Sequence, residues 1–178
     1  MIYLFFKIYN YIYILFLKFI YKKQLKIYGK IKVKGLLKLE LSSSSTIVIL
    51  GNLVLQDNVT ISVRKGASLT IGKDCFFNKN CSIVSRDNIT IEDDCMFGEN
   101  IKIYDHNHLI QDGIIYKDKY DTKSITIGKN CWIANDVNIL KGSIIPKNTV
   151  IGAMSLVNKE LKESAIYTGI PVKLQKKI

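Results

Sequence analysis

An aliphatic residue returns at every sixth position along residues 127–157: Ile127, Ile133, Ile139, Ile145, Ile151 and Val157. Four residues after each of the first five stands a smaller or slimmer side chain, Cys131, Val137, Ser143, Thr149 and Ser155. A period of six fits neither an α-helix, with about 3.6 residues per turn, nor a strand, whose side chains repeat every second residue. It fits a chain that runs straight and turns a corner every six residues, three runs closing one triangular coil. The aliphatic side chains then stack inside a prism. This is an all-β, hexapeptide-repeat parallel β-helix.

Upstream the phase continues with interruptions. Ile71, Phe77, Ile83 and Ile89 mark one coil, and after a two-residue slip Ile91, Phe97 and Ile103 mark the next. Cys75, Cys81, Cys95 and Cys131 each follow a large apolar residue by four positions, the small interior place of the repeat. With no CxxC pair among them, they read as reduced, packed thiols rather than as a metal set or a disulfide framework. From Ile27 to Thr70, apolar runs alternate with polar positions and break at Gly35, Gly51 and Gly66, which reads as the first, irregular coils. Ser42–Ser45 is a corner or a serine ladder, since strand-like runs flank it. After Val157 the tail leaves the repeat, turns at Gly169-Ile170-Pro171 and ends in a short basic extension.

Residues 1–26 form a separate apolar segment with basic ends, expected to be helical, ahead of a β-helix over 27–178. Lys7, Asn10 and Lys18 interrupt its apolar run, and no small-residue cleavage site follows. Three uses stand open. The segment lies in a membrane interface with Lys22, Lys23, Lys26, Lys30, Lys32 and Lys34 toward lipid phosphates; or it packs on the prism or at a subunit contact; or it spans with snorkelling lysines. The formal charge of +11 is almost wholly lysine, with Arg64 and Arg86 the only arginines. Nucleic-acid readers lean on arginine and no recognition motif occurs, so no nucleic-acid partner is expected. The excess reads as a solvated surface, with an anionic membrane or a phosphorylated substrate as its functional alternatives.

Residues 104–124 show no hexad, and a long loop inside a regular solenoid is usually functional. It holds both histidines of the chain, His106 and His108. Histidine is the natural general base at neutral pH. Asp105 is placed to orient an imidazole, a role that a main-chain carbonyl can also fill. Two histidines fall short of the three ligands of a zinc carbonic anhydrase, and no metal is expected. Trp132 is the only tryptophan and stands beside an interior isoleucine, so it points outward, either as a pocket wall or against a neighbouring prism.

The string IGKNCWIANDVNILKGSIIPKNTVIGAMSLVNKELKESAIYTGIPVKLQKKI resembles the C-terminal half of the hexapeptide-repeat acyltransferases. The nearest branch is that of the maltose, galactoside and surface-polysaccharide O-acetyltransferases. The likeness covers about residues 60–178 and is strongest over 71–108 and 125–173. It implies a left-handed β-helix, a homotrimer with active sites between prisms, and acetyl-coenzyme A as co-substrate. The hand comes from the resemblance, because left-handed crossovers oppose the general rule.

In similar enzymes the base follows an Ile-Tyr pair by four positions, which after Ile103-Tyr104 is His108, with His106 as runner-up. The resemblance also implies donor contacts at Trp132, Ala134, Asn135, Ala153, Asn158, Lys159, Lys173 and Lys176. A main-chain N–H at Ala134 or Asn135 of the adjacent subunit would stabilise the oxyanion. On the acceptor side it implies Asn78, Tyr104 and Arg86, the last replacing an acidic residue of the sugar enzymes. A cation there suits a carboxylated or phosphorylated acceptor. Together with the apolar segment, through membrane contact at residues 1–34, this points to a lipid-linked glycan of surface polysaccharide synthesis, met on the cytoplasmic face of a membrane. The alternatives are N-acetylation of an amino sugar, serine acetylation, and a non-catalytic trimeric membrane-associated scaffold.

Overall fold

Six-residue spacing becomes structure through the coil. The computed structural model describes residues 2–178; Met1 of the 1–26 segment lies outside the described residues. A helix, α1 (Ile2–Ile20), precedes the strands. The first coil is β1 (Leu25–Ile27), β2 (Ile31–Val33) and β3 (Leu37–Leu41), and the second is β4 (Thr46–Ile49), β5 (Leu53–Leu55) and β6 (Val59–Val63). The third is β7 (Ser68–Ile71), β8 (Cys75–Phe77) and β9 (Ser82–Ser85), and the fourth is β10 (Asn88–Ile91), β11 (Met96–Phe97) and β12 (Lys102–Tyr104). A hairpin, β13 (His106–Gln111) and β14 (Ile114–Thr122), then leaves the prism. The fifth coil is β15 (Ile125–Ile127), β16 (Trp132–Ile133) and β17 (Asn138–Leu140), and the sixth is β18 (Ile144–Ile145), β19 (Val150–Ile151) and β20 (Leu156–Val157). Two strands, β21 (Ala165–Thr168) and β22 (Lys173–Lys177), close the chain.

Equivalent strands of successive coils pair in parallel and form three sheets, β1-β4-β7-β10-β15-β18, β2-β5-β8-β11-β16-β19-β21-β22 and β3-β6-β9-β12-β17-β20. The tail therefore rejoins the prism: β21 pairs in parallel with β19, and β22 folds back on it antiparallel. Register explains why the period of six shows only late. Leu25 pairs with Ile47 and Ile47 with Leu69, a coil of 22 residues, whereas Leu69 pairs with Ile89 after 20. Only beyond the hairpin, where Ile127 pairs with Ile145, does a coil shorten to 18 residues, three hexads. Ile89 and Ile91 both face inward from β10, so the two-residue slip is one longer strand.

The core is the stack of inward residues. Phe77 and Phe97 lie flat on one another, centroids 4.2 Å apart and planes 3° apart. Cys75, Cys95 and Cys131 fall in one column, and each donates its thiol to a carbonyl of the next coil, Glu92 at 3.2 Å, Gly128 at 3.2 Å and Pro146 at 3.1 Å. Cys81 does the same to Gly98 at 3.2 Å, and burial pushes its thiol up to about 11. All four thiols are buried and serve as packing and hydrogen-bonding groups. Corners need a left-handed residue, and after glycine Asn and Asp adopt that conformation most readily. Asn58, Asn80, Asn100 and Asp136 turn one edge with φ between 56° and 60°. Their side chains are linked amide to oxygen, at 2.9, 3.2 and 2.8 Å.

Helix α1 covers the open end of the first coil. Leu17 is buried, Asn10 Nδ2 donates to the Gly35 carbonyl at 2.8 Å, and the Leu39 N–H donates to the Tyr13 hydroxyl at 3.4 Å. Among the described residues no helix is long and apolar enough to cross a membrane. Ser42–Ser45 forms the corner between β3 and β4, where Ser45 Oγ donates to the Ser42 carbonyl at 2.7 Å. The stacked phenylalanines carry the clearest expectation for stability. Phe97→Ala should cost about 3–5 kcal/mol in denaturant unfolding, because the rigid coils on either side cannot collapse into the vacated space.

Candidate active site

The segment expected as a loop over 104–124 is a hairpin because Asp112-Gly113, both at positive φ (52° and 75°), makes a tight turn between two extended runs. The hairpin springs from the corner between the third and first sheets. At its root Asp105 is fully buried. Its carboxylate accepts from the Ser85 hydroxyl at 2.7 Å, the Arg86 N–H at 2.8 Å and the Asp87 N–H at 2.9 Å, and lies 3.1 Å from His106 Nδ1. Burial alone would raise this carboxyl, but the four hydrogen bonds outweigh it and hold its pKa below the ordinary value.

Asp105 thus orients His106 and not His108. The ring of His108, exposed on β13, has Nδ1 3.0 Å from the Tyr116 carbonyl on β14. A carbonyl only accepts, so Nδ1 carries the proton and the lone pair sits on Nε2, the state a general base needs. Tyr120, directly across the hairpin from His108, is the residue that sequence reasoning missed. Its ring lies 4.9 Å from the ring of His108 and 5.6 Å, edge-on, from that of His106. The Arg86 guanidinium lies over the Tyr120 ring, 3.4 Å from the centroid. Arg86 therefore braces Tyr120, with its Nε buried and without a partner among the described residues. Tyr104 stands beside His106, centroids 6.1 Å apart, with its hydroxyl 3.3 Å from Ser82 Oγ.

The expected donor residues gather elsewhere. Ala134, Asn135 and Ala153, and with them Asn78 of the expected acceptor side, occupy one edge of the prism, the corner between the second and third sheets, in the third, fifth and sixth coils. Asn78 Oδ1 accepts from the Lys79 N–H at 2.9 Å. The Ala134 N–H donates to the Ile151 carbonyl at 2.9 Å, whereas that of Asn135 has no acceptor among the described residues. Trp132 is half exposed on the outer face of the second sheet, in register with Met96, Val150 and, beyond it, Ile166 and Lys176. Lys173 lies on the same terminal strand, while Asn158 and Lys159 follow β20 at the corner from which, two coils below, the hairpin leaves. The chain brings together Asp105, His106, His108, Arg86 and Tyr104. It keeps them apart from Trp132 on the face of the second sheet and from Asn78, Ala134, Asn135 and Ala153 at another edge. Among the described residues no group of three His, Cys, Asp or Glu side chains could hold a metal ion.

No family model matches the chain. It is 36% identical over 126 residues to a Staphylococcus aureus protein named as an acetyltransferase, covering 68% of this chain and 63% of that one. It is 30% identical over 113 residues to the galactoside O-acetyltransferase of Escherichia coli, covering 64% and 56%. The chain spans about three fifths of the length of the curated relatives it matches. Among solved structures it is similar to an N-acyltransferase of Bacillus cereus in complex with dTDP-4-amino-4,6-dideoxyglucose and coenzyme A. That match has a TM-score of 0.75 at 17% identity and covers 90% of this chain and 87% of that one.

The lowered Asp105 pKa has a sign that can be checked. A carboxylate depressed by folding contributes stability above its unfolded pKa, and that contribution is lost as pH falls through the folded value. Asp105→Asn should cost about 1.5–3 kcal/mol at neutral pH, the scale of hydrogen bonds to a charged group. In unfolding curves the gap to wild type should begin to narrow as pH falls through the ordinary carboxylate range and close only below it.

Proposed function

We propose that this chain, a hexapeptide-repeat protein whose homologues are acetyltransferases by name, transfers acetyl from acetyl-coenzyme A to a hydroxyl of a sugar or glycan. One observation carries the reading: the Tyr116 carbonyl fixes the tautomer of His108 and leaves Nε2 free to take a proton. His108 removes the proton of the acceptor hydroxyl as its oxygen attacks the acetyl carbonyl. The Asn135 N–H of a neighbouring subunit, unpaired within its own chain, receives the developing oxyanion. The intermediate then collapses, the carbon–sulfur bond breaks, and His108 returns the proton to the coenzyme A thiolate. No covalent enzyme intermediate is involved.

The separation of the two residue groups supports a homotrimer, because a site that uses both the hairpin and the Trp132 edge needs a second copy. The donor would lie along the outer column of the second sheet. Trp132 and Lys176 are three strand spacings apart there, about 14 Å. Ala153 would flank the pantetheine arm, and Lys173, Lys176, Asn158 and Lys159 would serve the phosphate and nucleotide end. Asn78 and Tyr104 would face the acceptor. Arg86, held against Tyr120, leaves the pocket cationic and suited to a carboxylated or phosphorylated glycan. Such an acceptor belongs to surface polysaccharide synthesis, and the enzyme would work peripherally on the cytoplasmic face of a membrane.

A second reading has a specific observation behind it. The Asp105–His106 pair has the geometry of an oriented base, so His106 would take the role if Tyr120 opens away from it. Calorimetric titration of acetyl-coenzyme A, alongside thiol release with glycan and amino-sugar acceptors, tests both readings. His108→Ala should bind the donor with unchanged affinity and lose about 10²–10⁴-fold in turnover, the usual worth of a general base, with His106→Ala the milder change. The reverse ranking selects His106. If the wild type binds no acetyl-coenzyme A, the enzyme reading falls and the non-catalytic scaffold takes its place.

A further inference from the structure

Helix α1 closes the prism with one face only. Asn10, Tyr13, Ile14, Leu17 and the following Tyr21, which recur at i, i+3, i+4, i+7 and i+11 on one helical face, pack on the first coil. The opposite face carries Phe5, Ile8, Ile12, Leu15, Phe16 and Phe19, all exposed, Ile12 at 60% and Phe19 at 73%. On a helix resting on a soluble domain this half carries charged and polar side chains. A continuous apolar face of this size marks an interaction site.

Charge in the same segment is one-sided. Nine of the 26 basic residues and none of the 15 acidic ones fall in residues 1–39, which therefore carry nearly all of the net +11. Lys22 and Lys23 follow the helix, and Lys26, Lys30, Lys32 and Lys34 stand exposed around the first coil. Among the described residues only Lys38 of this segment meets a carboxylate, that of Glu40 at 2.9 Å. Between α1 and the first coil runs a groove of about 880 Å³, its walls apolar at Tyr11, Ile14, Ile27 and Ile31 and its rim cationic at Lys18 and Lys30.

We infer that α1 lies in the interface of an anionic lipid bilayer, its outer face among the acyl chains and its flanking lysines against lipid phosphates. An apolar helix face flanked by lysines is the pattern such an interface selects. A second copy on the same face would set two lysine clusters against each other, whereas an anionic surface neutralises them. The inference deepens the membrane-peripheral part of the function proposed above and does not depend on the acyl-transfer chemistry.

Flotation of the full-length protein with vesicles of phosphatidylcholine, alone or mixed with phosphatidylglycerol, tests it. The wild type should float with the anionic vesicles and not with the neutral ones, and added salt should release it. Lys22→Gln with Lys23→Gln should weaken capture about tenfold or more, given about 1 kcal/mol per lysine at such a surface. Phe16→Gln with Phe19→Gln should abolish capture and leave the thermal midpoint unchanged, since both side chains face away from the prism. Three results would overturn the inference: no flotation with either vesicle, equal flotation with both, or a drop in particle mass in the Phe16/Phe19 variant without lipid, which would assign the face to a second copy. Titrating acetyl-coenzyme A into the same preparation keeps the two ideas apart. Donor binding without flotation removes only the membrane inference, and flotation without donor binding removes only the enzyme.

Discussion

Hydrogen bonding between coils, rather than within them, is the constraint on which this molecule depends. The Thr60 N–H donates to Cys81 of the next coil at 2.9 Å, Ser82 to Ile101 at 2.8 Å and Lys102 to Val137 at 3.1 Å. A coil alone satisfies almost none of its main chain, so each needs a neighbour on both sides and both ends must be closed. At the start α1 supplies the lid, helped by Gln24, whose amide donates to the Ser42 carbonyl at 2.7 Å. At the finish the tail does so, with the Leu161 N–H donating to Ile144 at 2.8 Å and β21 lying on β19. The two segments with the weakest repeat signal are therefore the ones that keep the repeat from being an open edge.

The same constraint decides where an insertion can go. Ile89 pairs directly with Ile125, so the hairpin departs and returns at one corner without disturbing the ladder on either side. A buried carboxylate is costly alone. Asp105 is tolerated at that corner because Arg86 and Asp87 offer it main-chain N–H groups and Ser85 offers a hydroxyl. It ties the third coil to the root of the hairpin, and the hairpin's own cross-strand contacts then hold His108 against Tyr120 and the Tyr116 carbonyl. Rigid coils below and a local ladder above together give one exposed histidine a defined tautomer.

What could be read beforehand follows the length of the coil. Residues 127–157 announce the prism because coils there are 18 residues, a multiple of six. The earlier coils of 22 and 20 obey the same inward stacking but not the same count. A steadier signal was present: Asp74, Asn80, Asp94, Asn100, Asn130, Asp136 and Asn148, all left-handed, each stand just before a buried interior residue. Likewise Asp112-Gly113 marked a hairpin where no hexad could be found. Tyr120 was beyond reach, because its place beside His108 depends on register across that hairpin. So was the partner of Asp105, since His106 and His108 alternate onto one face of β13 and only the angle at which the strand leaves the prism decides between them.

Stacking also fixes the distance between the two ends of the proposed function. In the third sheet β12, which leads into the histidine hairpin, lies three strands from β3 in the first coil, about 14 Å along the prism. With α1 in a lipid interface and the first coil at the phosphates, the reacting hydroxyl would stand at that height above the headgroups. A lipid headgroup sugar attached directly to its anchor would lie too low. A saccharide raised by a diphosphate or by a preceding sugar would reach it, and the Arg86–Tyr120 wall would meet its anionic part on the way. On that reading the rigid rise per coil would join the apolar cap at one end to the choice of acceptor at the other.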